Sequence, residues 1–542
     1  EYQFIDERGS NIMNNLKVLD VTLRDGGCVN DFNFGQTYMD KILVAQEASG
    51  VDIIELGYID ENKGSVSNRT QYINERVIYE NFLKHKKPGV SYVAMMDYGK
   101  FNVDNLSPHV AEGIDGIRMA FHKKNRFDII KAGRKIIEKG YKFYIQPMIT
   151  LRYSDAELLE LIEIINKELP DAEGFYIVDS FGEMRPNDMS RVLNLVDHNL
   201  IPSMTLGFHS HNNLQMSYSN AIEMLKFPTN RDLMLDCSIM GMGKGAGNLN
   251  TELLLEHLNL YYGKNYHIAP LLEVIDKVIN QLHSEFYWGY APEYYLSAAN
   301  QCTPSYASHF YNKHMLPIDQ VGEMLEMIAP EKKISFDKNY AEEVYRQYNE
   351  SKSVDDTLVI EELTKAFAGK RILLIGPGKS IIDANEKINK LVSATDVITI
   401  GLNTMRLDND YLLTTRKEIY DKAVKDGLNT IVCSNVSKGG RGNVKILNYA
   451  NWIEVTDRTH DSSAVIALNL LKACGVKEVL LAGLDGFSVN INENYFDPNM
   501  RHPVNNEQVE RRNHYYKNLI QRVKKSGIRV EFITPSKYEE NA

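Results

Sequence analysis

The sequence has few cysteines, and they form no pattern that would build a metal cluster or a disulfide framework. Its 542 residues include only five cysteines, at positions 28, 237, 302, 433 and 474, with no Cys-x-x-Cys pair. An odd, scattered set of this kind is typical of free thiols in a reducing compartment. We therefore expect a cytoplasmic protein without a cysteine-bound zinc site.

Long apolar runs and an excess of positive charge are also absent. No stretch approaches the roughly 18 apolar residues of a membrane span, and the first residues lack the apolar core of a signal peptide. The formal net charge is −11, which argues against a general partnership with nucleic acid or a membrane surface. A small anionic substrate remains compatible, because it would meet local positive charge.

The first half of the chain alternates short apolar runs with longer amphipathic stretches. Eight strands alternating with helices predict a (β/α)8 TIM barrel, which we assign to residues 13–283. Residues 1–12 are interpreted as a remnant that precedes a native start at Met13. The predicted strands are Val18–Leu23, Ile53–Gly57, Ser91–Met96, Gly116–Ala120, Lys142–Pro147, Gly174–Asp179, Met204–His209 and Leu233–Ile239.

The second half predicts two further parts. Residues 284–356 are rich in helical pattern and aromatic side chains, and we expect a helical extension with a polar linker near 349–356. Residues 357–542 predict a smaller, doubly wound α/β domain of Rossmann-like type. Its predicted strands are Arg371–Ile375, Val397–Gly401, Thr430–Cys433, Val479–Ala482 and Val530–Ile533.

Two histidines and an aspartate are the strongest metal-ligand candidates. His209 and His211 are two residues apart at the end of the seventh strand, so their imidazoles can share a face. Asp25 follows the first strand, and chemistry in such barrels lies at the carboxyl ends of strands. Two imidazoles and a carboxylate can hold a divalent cation. Arg24 beside them offers positive charge to an enolate oxygen.

A His-x-His pair by itself is more often two satisfied histidines in a strand, so the order of motifs carries the interpretation. Asp-Val-Thr-Leu-Arg-Asp-Gly at 20–26, Gly-Phe-His-Ser-His-Asn at 207–212 and Gly-Met-Gly-Lys-Gly-Ala-Gly-Asn at 241–248 follow one another. This order resembles the DRE-TIM metallolyase superfamily. The closest resemblance is to its pyruvate aldolase branch, the 4-hydroxy-2-oxovalerate aldolases.

The resemblance implies a metal-dependent carbon–carbon lyase, an aldolase that acts on a small 2-oxo acid and an aldehyde through a pyruvate-like enolate. It implies manganese or magnesium rather than zinc, held by Asp25, His209 and His211, with Asn248 at a position that is a further ligand in some members. Arg24 matches the arginine that stabilises the enolate. Barrel aldolases of this type often associate, so we expect a homodimer.

The sequence departs from the aldolases at the general base. They usually have a histidine where Cys28 stands, and a thiol with an ordinary pKa of about 8.5 is a poor substitute. His122, after the fourth strand, and Tyr290 are the alternatives for proton transfer, and either can equally be structural. Two other functions stay open: a Claisen-type acyltransferase, and a barrel that has lost catalysis and acts as a binding or scaffold module. The Glu-Gln pair typical of acetyl-CoA synthases after Arg-Asp-Gly is replaced here by Gly-Cys.

Two further residues match polar positions of the family. Ser180 follows the sixth strand, where a polar group lies near the substrate carboxylate. Glu55 ends the second strand, where related enzymes keep an acidic residue behind the site. Each can equally be only structural. The glycine-rich run 241–247 is expected to shape the loop around the site rather than to cradle phosphate.

The last third of the chain is similar to bacterial sialyltransferase-like domains that bind nucleotide sugars. Gly-Pro-Gly-Lys-Ser at 376–380 lies between a strand and a helix, where a backbone can approach a phosphate. The resemblance implies a site for a nucleotide sugar, such as a CMP sugar, formed by Gly376, Gly378, Asn403, Ser463 and His502. The loop departs from the usual Gly-x-Gly-Pro-Ser order, so transfer activity and a retained binding module are both open. A bifunctional protein of surface polysaccharide or modified-sugar biosynthesis is the resulting expectation, by analogy.

Overall fold

The chain forms two compact units, Glu1–Pro304 and Ser305–Ala542. The structure is a computed structural model. It describes residues 16–63, 68–83, 86–314, 318–406, 408–437, 439–440, 443–452, 462–497, 500 and 506–539. No helix in these ranges is both long enough and apolar enough to cross a membrane.

The first unit is a closed barrel of eight parallel strands. They are hydrogen-bonded in the order β1-β9-β8-β7-β6-β5-β4-β2, and β1 pairs back onto β2 to close the barrel. A two-residue strand, β3, extends the end of β2. The bounds are β1 Leu16–Asp20, β2 Ile53–Ile59, β3 Gln71–Tyr72, β4 Ser91–Asp97, β5 Gly116–Phe121, β6 Lys142–Pro147, β7 Gly174–Asp179, β8 Thr205–Ser210 and β9 Leu233–Cys237. The predicted TIM barrel is confirmed.

Amphipathic helices surround the barrel and bury their apolar faces against the outer side of the strands. A capping box at Ser154 and Glu157 fixes the start of α4. The helices are α1 Gln36–Ser49, α2 Glu75–Phe82, α3 Ile129–Glu138, α4 Asp155–Glu168, α5 Pro186–Asn199, α6 Ser217–Lys226, α7 Thr251–Tyr262, α8 Ala269–Val274, α9 Asn280–Glu285 and α10 Pro292–Ala299. A π-helical segment, Ile275–Ile279, joins α8 to α9, and short 3₁₀ turns lie at Gly26–Val29, Val103–Asn105, Lys123–Asn125, Thr150–Arg152 and Ile239–Gly241.

The interior of the barrel is part apolar and part charged. One small cluster of buried apolar side chains, which includes Leu19, Tyr176 and Met234, fills part of it. Glu55, Arg118 and Asp236 are buried as well. Because side chains alternate along a strand, the neighbours of Arg118 on β5 pack outward, and the arginine points inward. The interior therefore carries a polar layer below the mouth.

The second unit is built on a seven-stranded parallel sheet of order β14-β13-β12-β11-β10-β15-β16. The order reverses at β10, as in doubly wound folds, so the predicted α/β class is confirmed. Its strands are β10 Arg371–Ile375, β11 Val397–Leu402, β12 Tyr411–Thr414, β13 Thr430–Cys433, β14 Val444–Leu447, β15 Glu478–Ala482 and β16 Arg529–Phe532. The sequence analysis missed β12 and β14, which have only four residues each.

Helices cover this sheet and precede it in the chain. They are α11 Pro304–His314, α12 Ile318–Met327, α13 Lys338–Ser351, α14 Thr357–Phe367, α15 Asn385–Val392, α16 Lys417–Lys425, α17 Tyr449–Trp452, α18 Ser463–Ala473, α19 Ile491–Asn494 and α20 Asn506–Lys525, with 3₁₀ turns at Pro330–Lys332 and Lys379–Ile381. Within the segment 349–356, Asn349 is the buried end of a helix, and Asp356 accepts hydrogen bonds from Asn448 N and Trp452 Nε1, both at 2.8 Å. The domain limits at 283 and 356 remain predictions.

Candidate active site

Three side chains from the carboxyl ends of two barrel strands meet inside the mouth. Asp25 follows β1, His209 lies in β8, and His211 follows β8. Asp25 Oδ2 is 3.8 Å from His209 Nε2 and 3.7 Å from His211 Nε2. One nitrogen or oxygen atom from each residue lies within 4.8 Å of the other two, and all three residues are buried. The spacing suits three ligands around one cation, because metal–ligand bonds are about 2.0–2.3 Å long.

The electrostatics favour the ligand forms of these side chains. Burial opposes the ionisation of Asp25, but the charges of Arg24, His211 and His209 outweigh it and hold the pKa of Asp25 well below its usual range. Burial lowers the pKa of His211 to about 4, against the opposing pull of Asp25. At neutral pH the site therefore holds a carboxylate and a neutral His211 imidazole, which are the forms that bind metals.

Asn248 lies against the same group, on the glycine-rich loop after β9. Its backbone forms a β-bridge with His211, and its Nδ2 donates to Met242 O at 3.2 Å. Gly247 has a φ of +83°, and a Cβ there would lie 2.0 Å from Gly241 O. Only glycine fits this turn, which folds the loop back so that Asn248 reaches the site.

Arg24 is held rigidly beside Asp25. Its Nη1 donates to Asp25 Oδ1 at 2.9 Å, and its Nε donates to Glu55 Oε2 at 2.6 Å. Burial disfavours its charge, yet Glu55 and Asp25 together raise the pKa of Arg24. Its Nη2 is buried and makes no hydrogen bond to any residue that the structure describes. The guanidinium therefore keeps one N–H group for another acceptor.

Two charged residues behind the site escaped the sequence analysis. Arg118 on β5 is fully buried, with its Nη1 2.9 Å from Glu55 Oε2 and its Nη2 in contact with Asp236 Oδ2. Asp236 on β9 also lies 2.9 Å from His209 Nδ1. The available signal was one ionisable residue in each of two otherwise apolar strands, since buried charges require partners.

Cys28 lies near the site but is poorly suited to be a base. Its Sγ is 3.8 Å from Asp25 Oδ1. Desolvation around the sulfur and the adjacent carboxylate raise the pKa of the thiol to about 12. At neutral pH the thiol therefore stays protonated and can donate, but it does not readily accept a proton.

A second ionisable group lies at the ends of three neighbouring strands. His122 directly follows β5, Asp97 ends β4, and Tyr58 is near the end of β2. The Tyr58 hydroxyl is hydrogen-bonded to the Asp97 carboxylate, and the charges of both Arg24 and His122 act on Asp97. Burial raises the pKa of Asp97 and lowers that of His122. The sequence analysis found His122 but missed Tyr58 and Asp97.

Comparison with known proteins identifies the family of the barrel. A family model described as HMGL-like matches residues 15–269. The 4-hydroxy-2-oxovalerate aldolase 2 of Comamonas testosteroni is 30% identical over 246 residues, which are 44% of this chain and 67% of that protein. The chain belongs to the HMGL-like family.

Another relative of this HMGL-like chain is the 4-hydroxy-2-oxovalerate aldolase of Pseudoalteromonas translucida, 28% identical over 51% of the chain and 81% of that protein. The N-terminal domain of a candidate aldolase from Bacteroides vulgatus is a solved structure with 26% identity and a TM-score of 0.47, covering 55% of this chain and 97% of that one. The predicted superfamily is confirmed for the barrel, while the nucleotide-sugar resemblance of the last third remains a prediction.

Two other predicted residues of the HMGL-like barrel make structural contacts. Ser180 Oγ accepts a hydrogen bond from Ile149 N at 3.0 Å, which holds the turn after β6. Tyr290 is 54% exposed, and its carbonyl oxygen accepts from Tyr287 Oη. Gly289 N donates to Gly245 O at 3.4 Å, so this segment lies beside the glycine-rich loop. Both residues thus lie near the mouth, and neither is aligned with the Asp25–His209–His211 group by a printed contact.

In the second unit, the structure brings together two of the predicted nucleotide-binding residues. Asn403 follows β11 with a φ of +52°, and its Nδ2 donates to Ser463 Oγ at 3.2 Å. Its Oδ1 accepts from Thr414 Oγ1 at 2.8 Å and from Thr415 N at 3.1 Å. These contacts join the ends of β11 and β12 to the start of α18, at the carboxyl edge of the sheet.

The glycine loop after β10 packs against the loop after β15. Gly376 N donates to Ala482 O and Gly378 N donates to Gly483 O, both at 2.8 Å. A Cβ on Gly378 would lie 2.5 Å from Asp485 Oδ1, so glycine is required for this close approach. The two N–H groups are therefore engaged within the protein. His502, the predicted base, lies outside the described residues.

Proposed function

We propose that the barrel is a divalent-metal-dependent aldolase that cleaves or forms a carbon–carbon bond through a pyruvate-like enolate. The observation that carries the proposal is the buried Asp25–His209–His211 group beside the unengaged Nη2 of Arg24. Relatives named 4-hydroxy-2-oxovalerate aldolase support the same reaction class. A small 2-oxo acid and an aldehyde are the proposed reactants.

The donor set fits a divalent cation. Asp25 Oδ2 and Asn248 Oδ1 are buried and make no hydrogen bond to the described residues. Three carboxylates, Asp25, Glu55 and Asp236, and two guanidiniums are buried together, which leaves one negative charge uncompensated. A cation held by Asp25, His209 and His211, with Asn248 adjacent, would supply Lewis-acid stabilisation of charge on a substrate oxygen. Oxygen and imidazole ligands suit manganese or magnesium.

Arg24 supplies the fixed positive charge. When the carbon–carbon bond breaks, its electron pair moves onto the carbonyl oxygen of the 2-oxo acid, and Arg24 Nη2 can donate to that oxygen. Its other contacts, to Asp25 and Glu55, hold the guanidinium in one orientation before the substrate arrives. Preorganised donors of this kind lower the barrier because they need no rearrangement during the reaction.

Proton transfer is proposed for the Tyr58–Asp97–His122 group rather than for Cys28. His122 is neutral at pH 7, because burial lowers its pKa, and it can accept a proton from the substrate hydroxyl. Asp97, with its raised pKa, can carry a proton within the same group. The Cys28 thiol has its pKa raised to about 12 and lacks an available lone pair of comparable basicity.

The test is exchange of the pyruvate methyl protons for deuterium, followed by NMR in Mn²⁺ and D₂O. We expect Mn²⁺-dependent exchange in the intact protein and none in Asp25→Asn. Asp115→Asn is the matched control, because Asp115 precedes β5 at the opposite end of the barrel. Exchange that is absent although Mn²⁺ binds would overturn the enolate mechanism and favour the Claisen-type or non-catalytic alternative.

For the second unit, we propose a nucleotide-sugar site at the carboxyl edge of the sheet. Its support is the contact between Asn403 and Ser463 at the strand ends, where ligands of doubly wound folds bind. The engaged N–H groups of Gly376 and Gly378 favour a packing role for that loop. A cytoplasmic homodimer that serves surface polysaccharide or modified-sugar synthesis is the accompanying proposal.

Thermal unfolding with CMP, UDP and GDP sugars tests the second site. We expect a CMP sugar to raise the melting temperature of the wild type but not of Ser463→Ala. Asn469→Ala, on the same helix, is the control. Equal shifts in both variants, or no shift in the wild type, would contradict the site.

A further inference from the structure

A continuous path of ion pairs runs through the barrel interior from Arg24 to His209. Arg24 Nε and Arg118 Nη1 both approach Glu55 Oε2, at 2.6 and 2.9 Å. Arg118 Nη2 contacts Asp236 Oδ2, and the same oxygen lies 2.9 Å from His209 Nδ1. Arg118 is therefore the one residue that connects the two carboxylates.

The charges along this path alternate in sign and are all withdrawn from water. Arg118 and Glu55 are 0% exposed, and Asp236 is 3% exposed. Asp236 and Glu55 outweigh the desolvation of Arg118 and raise its pKa. The Arg118 guanidinium also lies over the Tyr176 ring, with its Cζ 4.7 Å from the ring centroid. Its planar fork reaches two acceptors at once, which a lysine ammonium cannot reproduce.

The two ends of the path are the groups that the proposed chemistry needs oriented. Because a carboxylate only accepts, Asp236 selects the His209 tautomer with its proton on Nδ1. This leaves the Nε2 lone pair facing Asp25. At the other end, Glu55 fixes the Nε side of Arg24 and turns Nη1 toward Asp25. An error in the position of Arg118 would therefore disturb both groups.

We propose that Arg118 is a positioning residue that sets the His209 tautomer through Asp236 and the Arg24 orientation through Glu55. The Arg24 half of this inference rests on the proposed function. The His209 half does not, because the tautomer of a histidine exists without metal or substrate. Arg118 acts through its neighbours and is not assigned a contact with the reacting atoms.

The decisive test reads the His209 imidazole by long-range ¹H–¹⁵N NMR in the metal-free protein, with the signal assigned by loss in His209→Gln. We expect the Nδ1–H tautomer in the wild type. Arg118→Lys keeps the charge but cannot span both carboxylates, so we expect a mixture of tautomers. Arg231→Lys is the matched control, since Arg231 is a buried arginine paired with Asp197 on another part of the barrel.

Two further measurements follow the consequences. Mn²⁺ affinity should fall at least tenfold in Arg118→Lys and less than twofold in Arg231→Lys. Pyruvate exchange at saturating Mn²⁺ should also fall at least tenfold in Arg118→Lys. Arg118→Met is the second variant, and circular dichroism checks that each one folds; if Arg118→Met unfolds, Arg118→Lys alone decides.

The outcomes separate this inference from the proposed function. An unchanged His209 tautomer in a folded Arg118→Lys would overturn the positioning role, whether or not the wild type is active. A changed tautomer supports it even if the wild type binds no Mn²⁺ and exchanges no protons. That last pair of results would instead overturn the aldolase proposal.

Discussion

His211 Nε2 lies 3.7 Å from Asp25 Oδ2, too far for a hydrogen bond and close enough for both atoms to bind one cation. With its pKa lowered to about 4, His211 does not form an ion pair with Asp25 at neutral pH. The pair therefore leaves a buried carboxylate oxygen unsatisfied. A bound metal would compensate that cost.

Removing the carboxylate should abolish stabilisation by metal. At Mn²⁺ concentrations of 100 times Kd, binding adds about 2.7 kcal/mol to the free energy of unfolding. We expect this gain in the wild type and in Asp115→Asn, and none in Asp25→Asn. Thermal unfolding with and without Mn²⁺ measures it. An equal gain in Asp25→Asn would show that Asp25 is not a ligand.

Asp236→Asn should weaken metal binding without removing a ligand. An asparagine can present its amide to His209 Nδ1 and favour the opposite tautomer, with the proton on Nε2. Losses of 10- to 100-fold in metal affinity are typical when such supporting groups are changed. Titration of Mn²⁺ followed by electron paramagnetic resonance gives the Kd. A Kd within twofold of the wild type would mean that the Asp236–His209 contact does not orient the imidazole for metal.

Arg24→Lys should separate metal binding from catalysis. Lysine keeps the positive charge but loses the fork that contacts Asp25 and Glu55 and leaves Nη2 available. We expect the pyruvate exchange rate to fall about 10²- to 10³-fold, as on loss of a preorganised donor. The Kd for Mn²⁺, measured in parallel, should change much less. Equal losses of both quantities would make Arg24 a support for the metal ligands only.

Cys28→Ser and Asp97→Asn should have opposite outcomes. A thiol with its pKa raised to about 12 contributes little as a base, so Cys28→Ser should retain most of the exchange rate. Asp97→Asn removes the carboxylate that contacts Tyr58 and influences His122, and a loss of about 10²-fold is expected. Rates from pH 5 to 9 provide the check. A large loss in Cys28→Ser alone would assign proton transfer to the thiol.

Asp179 should make the stability of the protein depend on pH. Burial raises its pKa from 3.8 to about 7, although the N–H groups of Glu183 and Met184 oppose the rise. Between about pH 4 and 7 the folded state binds a proton that the unfolded state has lost, so stability falls as the pH rises through this window. The full effect is about 4 kcal/mol at about 1.4 kcal/mol per pKa unit.

Urea unfolding at pH 5 and pH 8 tests this sign. We expect the wild type to lose more stability between the two values than Asp179→Asn, whose amide does not ionise. The variant is expected to be weaker at pH 5, because an asparagine accepts only one of the two N–H groups at Glu183 and Met184. The same pH dependence in both proteins would show that Asp179 is ionised throughout.

The sequence was sufficient for the barrel and for the residues at its mouth because both depend on local patterns. Apolar runs of strand length alternate with helical ones, and β6, β7, β10 and β13 have the predicted bounds. Asp25, His209 and His211 carry metal-ligand chemistry at strand ends, so their convergence followed from the rule that strand ends share a mouth. The four-residue strands β12 and β14 gave too short a pattern.

The partners of the buried charges were decided only by the tertiary structure. Arg118 and Asp236 are 118 residues apart, and nothing local to either strand says which carboxylate meets which guanidinium. The same holds for the Gly376 and Gly378 N–H groups, which the loop after β15 engages. Local sequence determines which chemical groups a strand end presents, whereas closure of the sheet determines which of them touch. Desolvation then makes those contacts obligatory, because a buried charge without a partner is too costly to keep.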